Sequence, residues 1–160
     1  MNKQKLQVLL TRLEKQLDSP QAARFNMRTF GSRYTTNTDG ALPGFTPVCG
    51  TQACLAGETV LALNKAEIHF NGGIILFSDP LKELKESPSY GGQIEQAAAE
   101  ELELTTAQKQ RLFFFKNWTV LKRGWPDNFQ HMYENAQTPQ GRLYAAIRRV
   151  EHFIKTNGRQ

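Results

Sequence analysis

The first regular pattern in the chain is a repeat of leucines near its amino-terminal end. The apolar side chains recur at intervals of three and four positions, at Leu6, Leu9, Leu10, Leu13 and Leu17. An α-helix turns once in about 3.6 residues, so this spacing places the leucines on one helical face. We expect the helix to end at Asp18-Ser19-Pro20, because proline disfavours the helical conformation of the residue before it.

A long segment without a sustained period follows, and a second helix comes after it. Residues 21–47 are rich in Gly, Thr, Asn and Arg. Segments of this length without regular structure are often functional. The next helix is predicted from Thr51 to Leu63, with Thr51 as its N-cap. Its small side chains would allow a neighbouring helix to approach closely: Ala53, Ala56, Gly57 and Val60.

Two short apolar runs then predict a β-hairpin. Residues 67–70 and 74–77 flank Asn71-Gly72-Gly73, a sequence typical of the tight turns that join antiparallel strands. Asp79-Pro80 predicts a short helix to about Glu86, with the aspartate as cap and the proline at the first helical position.

Helical patterns resume in the second half of the chain. A helix is predicted around four apolar positions: Ile94, Ala97, Ala98 and Leu102. Thr105 with Gln108 forms the pattern of a capping box, which indicates the start of another helix. Pro126-Asp127 and Thr138-Pro139 predict the starts of two more.

The last predicted helix has a clear division between apolar and basic positions. Its core face consists of Leu143, Ala146, Ile147, Val150 and Ile154. Four basic side chains are expected mostly in water: Arg142, Arg148, Arg149 and Lys155. The chain as a whole is therefore predicted to be mainly α, formally α+β, with about six helices and one small hairpin.

Composition limits the class of protein. With 160 residues, 39% of them hydrophobic, residues 1–160 fit one domain that can bury a core without a disulfide or a metal. We find no pattern of a signal peptide or a membrane span, and we expect a cytoplasmic protein that uses no cofactor. The two cysteines are then expected to be free thiols, because the cytosol is reducing.

Charge is unevenly distributed along the chain. The net charge is +5, and residues 24–33 contain three arginines and no acid, whereas residues 86–103 contain five glutamates and no base. A basic surface of this kind attracts phosphate-bearing ligands, nucleic acid or acidic proteins. The same distribution can also serve solubility alone.

Both cysteines lie in one segment, Cys49 to Gly57, where a loop runs into the second predicted helix. A thiol at the start of a helix is favoured as thiolate, which makes Cys49 and Cys54 candidate nucleophiles. A cysteine enzyme also needs a base, and His69, His131 and His152 each have a structural interpretation. Buried structural thiols remain the alternative. The cysteine spacing matches no zinc motif, so we predict no metal site.

Binding of an anion has more support from the residue types present. Arginine grips phosphate with a fork of donors, aromatic rings stack on bases, and a helix start can hold phosphate oxygens. The candidate ligand-binding residues are Arg24, Arg28, Arg33, Phe30, Tyr34, Gly50, Thr51, Trp118, Lys122, Arg123 and Trp125. The alternative is that the aromatic residues form core and the arginines pair with the acidic segment.

A set of short motifs is shared with a scattered family. These are Arg24-Phe25-Asn26-Met27, Cys49-Gly50-Thr51 with Cys54 and Ala56-Gly57, Leu104-Thr105 leading to Leu112-Phe113, Trp125-Pro126, Thr138-Pro139, and Arg149-Val150-Glu151-His152-Phe153-Ile154. In these motifs the chain resembles, over about residues 20–158, a family of small proteins from bacteria and their phages that has no established activity. The resemblance implies a mostly helical cytosolic domain and a phage or mobile-element origin, and it carries over no catalytic residue.

These observations favour a non-enzymatic accessory protein that binds a small anionic ligand such as a nucleotide signal, with inhibition of a host defence system as its use. The location would be the host cytoplasm. Two alternatives stay open: a cysteine-dependent enzyme acting through Cys49 or Cys54, and an inhibitor that contacts a host protein directly. The sequence also leaves self-association open.

Overall fold

Six α-helices and one pair of short strands make up the regular structure of the described residues. The computed structural model describes residues 1–19, 22, 25, 27, 54–68, 74–76, 91–118 and 128–159. The helices are α1 (Lys3–Leu17), α2 (Leu55–Ala62), α3 (Gly91–Glu101), α4 (Thr106–Phe113), α5 (Phe129–Asn135) and α6 (Pro139–Lys155). A 3-10 turn covers Phe115–Asn117, and the strands are β1 (Ala66–Ile68) and β2 (Ile74–Leu76). This confirms the predicted fold class.

The two strands pair as the hairpin prediction requires. β1 and β2 are antiparallel, with Ala66 opposite Leu76 and Ile68 opposite Ile74. The predicted turn at residues 71–73 and the predicted helix at residues 79–86 lie outside the described residues.

Helix α1 follows its leucine pattern closely. Asn2 caps the helix by accepting a hydrogen bond from the Lys5 backbone N–H. Four of the five leucines are buried, and Leu17 is partly buried where the helix ends. The helix packs against α6 and α2, so the leucine face forms one wall of the core. The periodicity therefore predicted both the helix and its buried side.

Two predicted helix starts are wrong by a few residues. The cap of α2 is Cys54 and not Thr51, because the helix begins at Leu55. The cap of α5 is Asn128, whose side chain accepts from the His131 N–H, so Pro126-Asp127 precedes the helix. In both cases another side chain able to accept a hydrogen bond lies nearer the helix.

Local capping signals at α4 and α6 are confirmed. Thr105 and Gln108 form the reciprocal capping box at the start of α4. Thr138 accepts from the Gly141 N–H, and Pro139 occupies the first turn of α6. These signals succeed because donor and acceptor are only three residues apart in the chain.

The prediction that Arg149 lies in water is wrong. Its side chain is 1% exposed, and its Nη2 donates to the Arg111 carbonyl oxygen at 2.8 Å. The guanidinium also lies over the rings of Phe129 and Phe153, 5.8 and 5.6 Å from their centroids. Burial, with Arg111 nearby, lowers the pKa of Arg149 to about 10, so it stays protonated at neutral pH.

Arg149 is buried because its guanidinium caps the carboxyl end of α4. The last four carbonyls of a helix have no partner within it. Two of them are satisfied here by side chains, since Arg149 donates to Arg111 O at 2.8 Å and Trp118 donates to Leu112 O at 2.9 Å. The Gln110 carbonyl already accepts the Phe114 backbone N–H at 3.1 Å, and Asn117 adds a second hydrogen bond to it at 3.2 Å. A cation at this end also offsets the negative end of the helix dipole.

Candidate functional site

Most of the predicted site residues lie outside the described part of the chain. They are Arg24, Arg28, Phe30, Arg33, Tyr34, Cys49, Gly50, Thr51, Lys122, Arg123 and Trp125. Their roles as ligand contacts, and that of Cys49 as a nucleophile, stay predictions. The alternative, in which the arginines of residues 24–33 pair with the glutamates of residues 86–103, also stays a prediction.

Trp118 is described, and its ring packs in the core. The side chain is fully buried, and its indole N–H is bonded to the Leu112 carbonyl oxygen. Edge-on contacts join the ring to Phe115 and Tyr133, with centroid distances of 5.4 and 6.2 Å. Its role as a ligand contact stays a prediction, and the contacts that the structure describes are those of a core residue.

Cys54 caps α2 through its sulfur. The Sγ atom accepts a hydrogen bond from the Gly57 N–H at 3.4 Å, and the residue is 2% exposed. Met27 adds a second sulfur, since its Sδ accepts from the Leu55 N–H at 3.3 Å. The two sulfurs thus satisfy N–H groups at the start of α2. A thiol held this way acts as a structural cap. Because it is buried, a substrate has little access to it.

The described histidines lie apart from this helix start in the chain and have structural surroundings. His131 is exposed on α5 and bonds Asn135 through its Nε2, as expected for a helix surface. His152 is buried on α6 beside Phe129, with 5.3 Å between the ring centroids. His69 lies outside the described residues.

Within the part of the chain that the structure describes, a groove between α1 and the end of α2 offers space for a small ligand. Its volume is about 710 Å³, which is enough for a small molecule, and the groove is open to solvent. We name it the α1–α2 groove. Its lining residues are Gln4, Gln7, Val8, Thr11, Arg12, Lys15, Gln16, Leu61, Ala62 and Asn64.

A buried carboxylate orients two of the lining residues. Glu58, in the first turn of α2, is 3% exposed. Its Oε2 accepts hydrogen bonds from Arg12 Nε at 2.6 Å and from Gln16 Nε2 at 2.9 Å. Both donors lie on one side of α1, one helical turn apart. The carboxylate therefore holds the guanidinium and the amide in fixed positions beside the groove.

The Gln16 amide is only partly satisfied. Its Nε2 is bonded to Glu58, while its Oε1 is buried and accepts no hydrogen bond from the described residues. A buried acceptor without a donor costs about 1–3 kcal/mol. Such a cost is more often tolerated at a functional site than in ordinary core.

The two ends of the α1–α2 groove differ in charge. Arg12 and Lys15 lie toward one end, and none of the described lining residues is an acid. Near the other end, Lys5 and Lys65 form ion pairs with Glu101. Their Nζ atoms lie 2.8 and 3.1 Å from its carboxylate oxygens. These hydrogen bonds, that of Lys5 first, lower the pKa of Glu101 against the opposing effect of its burial. Among its described lining residues, the groove thus carries positive charge at one end and none at the other.

Sequence reasoning missed this groove, although one signal was present. Helix α2 reads Leu-Ala-Gly-Glu-Thr-Val-Leu-Ala, and Glu58 is the single charge in that run. A carboxylate inside an apolar helix needs a cationic or polar partner when buried. The partner could not be identified, because Arg12 is 46 residues away in the chain.

Comparisons with known proteins add no relative. Neither the family models, nor the curated proteins, nor the solved structures with which the chain was compared gave a match. Within the described residues, none of the helices combines the length and the apolar character needed to cross a membrane.

Proposed function

We propose that the protein binds a small anionic, nucleotide-like ligand and does so without catalysing a reaction. We further infer that it is an accessory protein of a phage or mobile element, and that ligand capture inhibits a host defence system. The second inference depends on the motif resemblance described above. The first depends on the chemistry of the chain itself.

The observation that supports ligand binding is the lining of the α1–α2 groove. It combines two cations with amide and hydroxyl side chains, and the lining residues that the structure describes include no carboxylate. Amides donate and accept hydrogen bonds, as the edge of a base requires, and a guanidinium binds phosphate through paired donors. The net charge of +5 favours the approach of such a ligand.

The test is thermal unfolding of the full chain with a nucleotide panel, followed by calorimetric titration. The panel contains nucleoside mono-, di- and triphosphates and cyclic dinucleotides. A ligand present at 100 times its Kd stabilises the folded state by about 2.7 kcal/mol, so the melting temperature should rise by roughly 5–10 °C.

A panel in which no compound shifts the melting temperature would overturn the proposal. The two alternatives from the sequence, a cysteine-dependent enzyme and an inhibitor that acts by surface contact, would then remain.

A further inference from the structure

We propose that the α1–α2 groove binds a ligand of the nucleoside monophosphate class, with Arg12 as the residue that grips its phosphate. This inference rests on the proposed function and adds a location, an orientation and a ligand class to it. Three features of the groove lead to it: an oriented guanidinium, an uncharged opposite end, and the length between them.

Arg12 has hydrogen-bond donors that no described residue uses. Its side chain is 34% exposed, and its Nε is bonded to the buried Glu58. No described residue accepts a hydrogen bond from its two Nη atoms, although Arg12 lines the groove. Because the bond to Glu58 restricts the side chain, less conformational entropy is lost when the remaining donors bind an anion. Lys15 lines the same end and adds a second positive charge.

The opposite end suits an uncharged, hydrogen-bonding group. Gln4, Gln7 and Asn64 line it. Their amides can each donate and accept, which matches the mixed edge of a nucleobase. The nearby cations Lys5 and Lys65 are held by Glu101 and do not line the groove. A second phosphate at this end would therefore find no free cation among the lining residues of the described ranges.

The separation of the two ends sets the size of the ligand. Helix α1 rises about 1.5 Å per residue, so Gln4 and Lys15 are roughly 16 Å apart along its axis. A base, a sugar and one phosphate can lie in line over that length. The groove thus favours one terminal phosphate joined to an uncharged ring system. A cyclic dinucleotide, whose two phosphates are internal, matches this arrangement poorly.

Calorimetric titration of the full chain with a matched ligand set tests the class. The set contains adenosine and guanosine 5′-monophosphates, their nucleosides, inorganic phosphate, the triphosphates and a cyclic dinucleotide. At least one monophosphate should bind about tenfold more tightly than its nucleoside and than inorganic phosphate, because each of these lacks the contacts of one end. Affinity that simply rises with ligand charge, or a preferred cyclic dinucleotide, would overturn the ligand class.

Variants of Arg12 test the anchor. Arg12→Ala should weaken the monophosphate about tenfold or more and leave nucleoside binding unchanged, because only the phosphate contact is lost. Arg12→Lys keeps the charge without the fork of donors and should show an intermediate loss. Arg148→Ala is the matched control, since Arg148 pairs with Glu151 on α6 and does not line the groove. It should bind like the unaltered chain.

Glu58 is assigned as a positioning residue, and a double-mutant cycle tests that role. Glu58→Gln should weaken the monophosphate roughly fivefold in the unaltered chain and have no further effect in the Arg12→Ala chain. A merely structural role would give the same loss in both backgrounds and would contradict the assignment.

The failures of the two proposals can be told apart. If nucleotides bind, Arg12→Ala binds them normally and Arg28→Ala abolishes binding, the proposed function stands and the location in the α1–α2 groove is wrong. If no nucleotide binds the unaltered chain, the proposed function itself is wrong, and this inference falls with it.

Discussion

Two arginines show how differently this molecule uses the same side chain. Arg149 is enclosed between α4, α5 and α6, donates to a backbone carbonyl and lies over two aromatic rings. Arg12 is about one-third exposed beside the α1–α2 groove, with its Nε bonded to a buried carboxylate. The first guanidinium completes the end of a helix. The second is held by Glu58 and lines the groove.

The difference teaches how to separate a structural cation from a candidate binding one. Burial alone would select Arg149, and its lowered pKa would strengthen that choice. Its bond to the Arg111 carbonyl, however, accounts for its position by helix capping. Arg12 becomes the better candidate because a buried partner restrains it and a cavity adjoins it.

The largest expected effect is the loss of stability in Arg149→Ala. The substitution leaves the Arg111 carbonyl without its donor and leaves space beside Phe129 and Phe153. We expect a loss of about 3–5 kcal/mol in the free energy of unfolding, and a melting temperature roughly 10 °C lower. Urea and thermal unfolding measure both quantities.

Two further arginines provide the scale for that result. Arg12→Ala should cost about 2–3 kcal/mol, because the buried carboxylate of Glu58 loses its cation and keeps the hydrogen bond from Gln16. Arg148→Ala, at an exposed position of α6, should cost less than about 0.5 kcal/mol. Equal losses in Arg149→Ala and Arg12→Ala would remove the distinction between the two regions.

A smaller effect is expected at the opposite end of α4. Thr105→Ala removes an exposed capping box, and we expect a loss of about 1 kcal/mol. Thr105→Ser keeps the hydroxyl and should restore most of that stability. Unfolding in urea gives the comparison. If Thr105→Ala lost as much unfolding free energy as Arg149→Ala, the buried cap of α4 would contribute no more to stability than the exposed one.

The smallest effect concerns the pH dependence of the ion pairs that Glu101 forms with Lys5 and Lys65. Lys5 and Lys65 lower the pKa of Glu101 in the folded state, so the ionised carboxylate stabilises the fold. That contribution is fully present above the ordinary value of 4.5 and is lost as the pH falls through the lowered pKa.

Glu101→Gln should therefore be slightly less stable than the unaltered chain near neutral pH. The two urea midpoints should converge as the solution becomes strongly acidic. A difference that stays constant with pH would show that the ion pairs contribute nothing through the charge of Glu101.

Much of the fold could be predicted from local patterns. The leucine repeat of α1, the capping box of α4 and the Thr138-Pro139 start of α6 all involve residues within one or two helical turns of each other. The predicted cap of α2 lies a few residues too early, because a threonine hydroxyl is the more usual acceptor and the observed acceptor is a cysteine sulfur. The second sulfur there, from Met27, comes from another part of the chain.

The sequence alone determined which of the described segments become helices and which side of α1 is buried, because these depend on periodicity and on side chains that cap a neighbouring backbone. Only the tertiary structure decided that Arg149 is enclosed and that Arg12 meets Glu58 beside a groove. Each of these contacts joins residues at least 38 positions apart. A buried charge is tolerated only where distant polar groups satisfy it, and no local pattern records which groups those will be.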